Sequence, residues 1–338
     1  MGIGESAGLC AAAFWALSSL IFSRVLMTAW ELNFWKNVVA SLIFLVHLFV
    51  VKSVLQTPFF EAPLESWCWL GASSLVGIVV GDTVYLRSLQ ILGPRRALVV
   101  ATSSPIFGVL IGFFVMADEI NAWLLLGIGI TMLGVTVVVT DKKAKIESPN
   151  VFPGNFLEGI TLGLAGAFCQ AFAIALAKFG MSHGCEAVES SFIRIFVAMI
   201  ASIFLMALFP KRFSQTGIPP DGNPDQRATS AITDQGRPGE TKSPDVQRSI
   251  FSPILDFQTM KYFIPAAMIG SWLGIWFFQV AQQYSDIAVV TTLASTCPIF
   301  AIPLIWFFQG HTISRIGIVG TAIAVGGVVV VINCTVSA

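Results

Sequence analysis

The chain is short of charge. Lysine, arginine, aspartate and glutamate make up 11% of its 338 residues, where a soluble domain carries about 25%. The 19 basic and 19 acidic residues cancel, so nothing points to a nucleic acid as partner. Histidine is scarcer still. His47, His183 and His311 stand far apart, which offers no His-rich metal site and no Ser-His pair, and makes a membrane-embedded enzyme the weaker reading. The six cysteines are scattered without a CxxC pair, so neither a disulfide framework nor a thiolate metal site is indicated. Gly93 and Gly2-x-Gly4 lack the spacing and the strand context of a phosphate-binding loop. No cofactor and no nucleotide-driven step is expected.

What the chain has is apolar length. It is 55% hydrophobic, with 28 Phe and 9 Trp. Runs long enough to cross a bilayer recur at roughly 7–22, 33–51, 67–90, 97–116 and 122–140. After a polar linker they return at 159–179, 188–209, 260–284, 287–308 and 313–332. Helices are the expected form, because a helix satisfies its own backbone within lipid. The first run has no basic segment before it and has a partner in mid-chain, so it is expected to be retained rather than cleaved.

The second half repeats the first. At one fixed offset and without a gap, Gly77 falls on Gly270, Gly81 on Gly274, Pro105-Ile106-Phe107 on Pro298-Ile299-Phe300, and Gly134-Val135 on Gly327-Val328. The front parts align with a four-residue slip, placing Lys36 opposite Arg194 and Glu31 opposite Glu189. Five spans per copy is an odd number, so the second copy enters the membrane from the opposite side. The expected fold is therefore an all-α membrane protein of ten transmembrane helices in two inverted five-helix repeats, over 1–145 and 156–338. A stretch at 211–257, dense in Pro, Gly, Ser and Asp, interrupts the second copy and reads as a disordered loop.

Basic residues gather on one side. The connections after spans one, three, five, seven and nine hold Arg24, Arg95, Arg96, Lys142, Lys143, Lys145, Lys211, Arg212 and Arg315, whereas the other face holds only Lys52 and Lys178. By the positive-inside rule the first set is cytoplasmic and both termini are outside.

Phe14-Trp15-Ala16, Gly81-Asp82-Thr83 with Tyr85 and Arg87-Ser88-Leu89, Leu92-Gly93-Pro94, Ser104-Pro105 and Asp118-Glu119 followed by Gly127 and Gly134-Val135 together resemble the EamA-type members of the drug/metabolite transporter superfamily. The resemblance covers nearly the whole chain apart from the insertion. It implies a central cavity between the halves and export or exchange of small metabolites across the cell or inner membrane. It also implies cytoplasmic termini, against the count of basic residues.

Asp82 lies well inside span three, and its twin position is Ile275. An acid at that depth costs about 2.5–3.5 kcal/mol on insertion scales, so it faces a cavity or a partner. It reads either as a proton or cation coupling site or as a structural acid bonded to a neighbouring helix, with Tyr85 on the same face. Lys36 and Arg194 either attract an anionic group or snorkel to the headgroups. Trp15, Trp276 and Gln279 are candidates to line the pathway, while Gln170 and Gln282 read as interhelical glue. Arg87 is expected to snorkel, and Glu31 and Glu189, at the entrances of their helices, to be exposed caps or gate-level charges. Pro105 and Pro298 are expected to bend spans four and nine. The functional expectation is a secondary transporter of a small-molecule substrate in a lipid bilayer, with protons as candidate coupling ions. A non-transporting membrane scaffold or sensor is the alternative.

Overall fold

The computed structural model describes residues 2–22, 24–25, 27–58, 61–117, 121–140, 155–208, 257–309 and 315–336. The expected loop at 211–257 lies outside them except for Phe257, and so do Asp118 and Glu119. Among the described residues every regular element is helical. The first half contains α1 (Ile3–Phe22), α2 (Ala29–Leu55), α3 (Leu64–Ser74), α4 (Thr83–Ala101), α5 (Ser104–Ile111) and α6 (Ala122–Thr140). The second contains α7 (Phe156–Met181), α8 (Ala187–Leu208), α9 (Phe257–Ala266), α10 (Ile275–Tyr284), α11 (Ile287–Ala294), α12 (Cys297–Gln309) and α13 (Arg315–Val336).

Six stretches are long and apolar enough to cross a membrane: Ile3–Phe22, Ala29–Leu55, Leu64–Leu92, Phe156–Met181, Ala187–Leu208 and Thr259–Tyr284. Four apolar helical stretches are shorter, at Ser104–Met116, Ala122–Val137, Ile287–Ala301 and Arg315–Val331. Large apolar side chains such as Leu42, Phe49, Phe114, Phe204 and Ile318 stand exposed on the outside of the bundle, the arrangement that lipid rather than water favours.

Helices begin earlier than the apolar runs where a cap is available. Thr28 and Glu31 form a reciprocal capping box, Glu31 N donating to Thr28 Oγ1 at 3.3 Å and Thr28 N to Glu31 Oε2 at 2.8 Å. Two of the orphan donors at the start of α2 are thereby satisfied. Asn155 and Glu158 do the same for α7. Glu31 is buried in its cap rather than exposed as expected.

Two features recur in both halves. A π segment interrupts each third span, at Leu75–Asp82 before α4 and at Ala267–Gly274 before α10. Each such segment takes up an extra residue per turn and so re-aims the side chains that follow it. A two-residue break then falls at Thr102–Ser103 and again at Ser295–Thr296, directly ahead of the helices that carry Pro105 and Pro298 in their first turns. Proline is tolerated there because the first-turn N–H has no intrahelical acceptor. The backbone stays helical throughout α4, yet the chain reverses within it. Ser88 Oγ and Val100 Cγ1 both approach Gly163, at 2.9 and 2.7 Å from where a Cβ would sit, whereas a straight helix would hold those two residues about 18 Å apart.

The halves grip each other through small residues. The third span of the first half packs on α7, with an added Cβ at Gly77 meeting Ala173 Cβ at 2.6 Å and one at Gly81 meeting Cys169 Cβ at 3.1 Å. Reciprocally, Gly274 packs on Trp15 of α1 at 2.7 Å, and Gly270 on Ser18. The last helices cross at their glycines: Gly134 lies against Ala324 and Gly327 against Thr131. These two contacts are the same contact read from either copy. Close backbone approach of this kind is what glycine permits in a helix pair.

Candidate functional site

A cavity of about 220 Å³ lies among α1, α2, the Leu75–Asp82 segment with α4, α7, α8, α10 and the two helix breaks. Much of its wall is apolar, including Trp15, Phe22, Ile78, Leu86, Leu89, Ile174 and Phe278. Thr102, Ser295, Ser104 and Pro298 bring both breaks to its edge.

Asp82 is the last residue of the first π segment and faces this space, its side chain 20% exposed. Lys36 reaches it from α2. The Nζ stands 2.6 Å from Asp82 Oδ2 and the lysine side chain is only 7% exposed. The pairing follows from how α2 is pinned. Asn33 donates through Nδ2 to the carbonyl of Ile78 and to Thr83 Oγ1, both at 2.8 Å. Lys36 lies one turn further along that face. Gln170 of α7 donates to Asp82 Oδ1 at 3.3 Å, so the carboxylate is held from both halves of the chain. In lipid an unpaired lysine or aspartate at this depth would be costly, and pairing them offsets much of that cost.

Arg194 enters from α8, buried to 3% exposure. Its Nη1 donates to Gln279 Oε1 at 2.5 Å. Gln279 is itself held by Ser190 and by Gln282, whose Nε2 donates to Gln279 Oε1 at 2.7 Å. The carbonyl of Arg194 accepts from Ser74 Oγ. The guanidinium Nε is buried without a hydrogen-bond partner.

Five of the seven pathway candidates therefore meet in one place: Asp82, Lys36, Tyr85, Arg194 and Trp15. Trp15 donates through Nε1 to the carbonyl of Gly270 at 3.1 Å, which fixes the indole in the wall. Gln279 and Trp276 do not line the cavity. Gln279 stands behind Arg194, and Trp276 packs edge-on against His47 at 4.6 Å between ring centres. Gln170, expected as interhelical glue, does line it. Its only sequence signal was an amide in a span, which Gln279 and Gln282 share. Arg87 sits half-exposed with Nη2 3.9 Å from Glu158 Oε1.

A second ionic group lies apart from the cavity. Lys52, at the end of α2, approaches Glu61 Oε2 at 3.2 Å and Glu189 Oε2 at 3.7 Å. Glu189 Oε1 also accepts from the backbone N–H of Glu61 at 3.1 Å and of Ala62 at 3.0 Å. Glu189 is thus a buried tie between the halves, not the exposed cap expected of it. Beside it, in the connection between α7 and α8, the Cys185 thiol is pushed up to about 12, first by burial and then by the charge of Glu189.

The model of the EamA-like transporter family matches residues 2–140 and 245–333. One solved crystal structure superposes with a TM-score of 0.66 at 13% identity, over 97% of this chain and 95% of its own. That likeness speaks for the fold alone. No curated protein matches the chain.

Proposed function

The chain belongs to the EamA-like transporter family, and from that premise we propose that it is a secondary transporter exporting or exchanging a small organic metabolite, amino-acid-like or similar in size. The membrane protein would comprise ten spans in two inverted five-helix repeats. Support comes from the paired π segments, the paired helix breaks and the reciprocal glycine contacts between the halves. A two-fold relation that inverts the halves lets the site be exposed first to one side and then to the other.

The observation that carries the reading is the buried Lys36–Asp82 pair facing a cavity walled by both halves. An ionisable pair on the wall of an internal space suits a gradient-driven carrier, which changes its charge state there, better than a scaffold or sensor. Protonation of Asp82 would release Lys36, and re-ionisation would recapture it. The proton is thereby coupled to which partners the cavity offers its cargo. The cavity is smaller than the ~300–1,000 Å³ of pockets for drug-sized ligands, which suits a metabolite of a few carbon atoms or one ring. The gathering of basic residues in the alternate connections supports an orientation with both termini outside.

Purified protein should first be screened against small metabolites for thermal stabilisation, and the hits tested for flux in proteoliposomes. Uptake or release that follows an imposed pH or counter-substrate gradient is the expected result. Flux of every stabilising metabolite that is the same with and without protein and gradient would refute the reading.

A further inference from the structure

The charges on the cavity wall do not cancel. Lys36 and Asp82 neutralise each other at 2.6 Å. Arg194 remains, a guanidinium that stays protonated in proteins. No carboxylate of the described residues lies within 4.0 Å of it. Asp82, the acid whose charge reaches it, is already bonded by Lys36. Its one side-chain acceptor is a neutral amide, and Nε, buried on the same side chain, bonds nothing. A guanidinium offers five donors in a rigid fork suited to a carboxylate. A desolvated cation with donors to spare, at the wall of a space sized for a metabolite, is a half-made ion pair.

We propose that the cargo of the transporter described above is a small organic anion bearing a single carboxylate, which docks on Arg194. This rests on the transport reading and narrows it. One negative charge brings the wall to neutrality, whereas a doubly charged phosphate ester overshoots. A zwitterion fits less well, because its ammonium needs a free acid and Asp82 already has Lys36 on Oδ2 and Gln170 on Oδ1. The body of the cargo is apolar, since Trp15, Tyr85 and Phe278 form much of the remaining wall.

The test uses full-length protein in nanodiscs and four probes that share a benzyl group: phenylacetate, phenylacetamide, phenylalanine and phenethylamine. Binding is read by calorimetry. Phenylacetate should bind about tenfold or more tighter than the neutral amide, the difference a charge-assisted hydrogen bond supplies. Phenethylamine should bind weakest of the four. Arg194→Gln should bring acid and amide together, and Arg194→Lys should leave an intermediate preference, keeping the charge without the fork. Equal affinity of wild type for acid and amide overturns the inference, as does a preference that survives Arg194→Gln. Should Arg194→Gln fail to fold, the wild-type comparison and the lysine variant still decide. Flux in liposomes separates this from the broader reading. If the amide and the zwitterion move but the acid does not, the anion site is refuted and the transporter stands. If the acid binds and nothing moves, transport is refuted and the anion site stands.

Discussion

Replacing Lys36 with methionine removes the cation from Asp82 while keeping the aliphatic stem that fills the space between α2 and the π segment. Breaking a fully buried pair by deleting one partner costs about 3–5 kcal/mol, because the remaining charge is stranded. Three features of the site reduce that figure. The Asp82 side chain is 20% exposed to the cavity, where water can enter, and Gln170 stays on its other oxygen. The positive field of Arg194 also remains. A loss of about 2 kcal/mol is therefore expected, which is roughly thirtyfold in the unfolding equilibrium. Removing both charges, as Lys36→Met with Asp82→Leu, should recover most of the loss, since two apolar side chains strand nothing. Because each single strands a charge and the double strands none, the coupling between the two sites should exceed about 2 kcal/mol. The assay is equilibrium unfolding in mixed micelles with increasing denaturing detergent, followed by tryptophan fluorescence. A single variant as stable as wild type, or a double variant as damaged as the two singles added together, would refute the pair as described.

The glycine crossing of α6 and α13 gives a sharp contrast. An added Cβ at Gly134 would overlap the backbone of Ala324, whereas Gly129 has nothing within 4 Å. Gly134→Ala should cost about 1–3 kcal/mol in the same unfolding assay, and Gly129→Ala should be neutral or stabilising. The Cys185 thiol, pushed up to about 12, holds little thiolate at neutral pH, so maleimide labelling should be at least about tenfold slower in folded protein than in denatured protein. Its rate should climb as pH rises towards that value, and equal rates folded and unfolded would contradict the buried setting. A C-terminal reporter active only in the cytoplasm should stay silent, given the basic loops on the opposite face. A bright signal would reverse the orientation.

Six of the spans were legible because lipid imposes a simple rule, a run of apolar residues long enough to cross. The duplicated frame was legible because Gly77, Gly81, Pro105 and Gly134 each have a glycine or proline twin at one offset. Helix starts were missed where a polar cap, Thr28 with Glu31, extends the helix beyond its apolar run. The π segments went unseen, since no residue type distinguishes such a turn from an α turn. The Lys36–Asp82 pair joins residues on different helices, and depth alone could not separate a lysine that snorkels from one that turns inward. The amides show the same limit. Gln170 and Gln279 are alike in sequence, and only the packing of α7 against the first π segment turns one to the cavity while Arg194 draws the other away from it.

Proton-coupled transport by this site would depend most directly on Asp82. Asp82→Asn keeps the size of the side chain and a hydrogen-bonding oxygen for Gln170, but it can neither take up nor release a proton. Proton-gradient-driven flux of the identified cargo, measured in liposomes at matched protein density, should fall to the level of protein-free vesicles. Equilibrium binding of the cargo should persist within about tenfold, because Arg194 and the apolar wall are untouched. Undiminished gradient-driven flux in Asp82→Asn would contradict the central claim and reduce the Lys36–Asp82 pair to a structural tie.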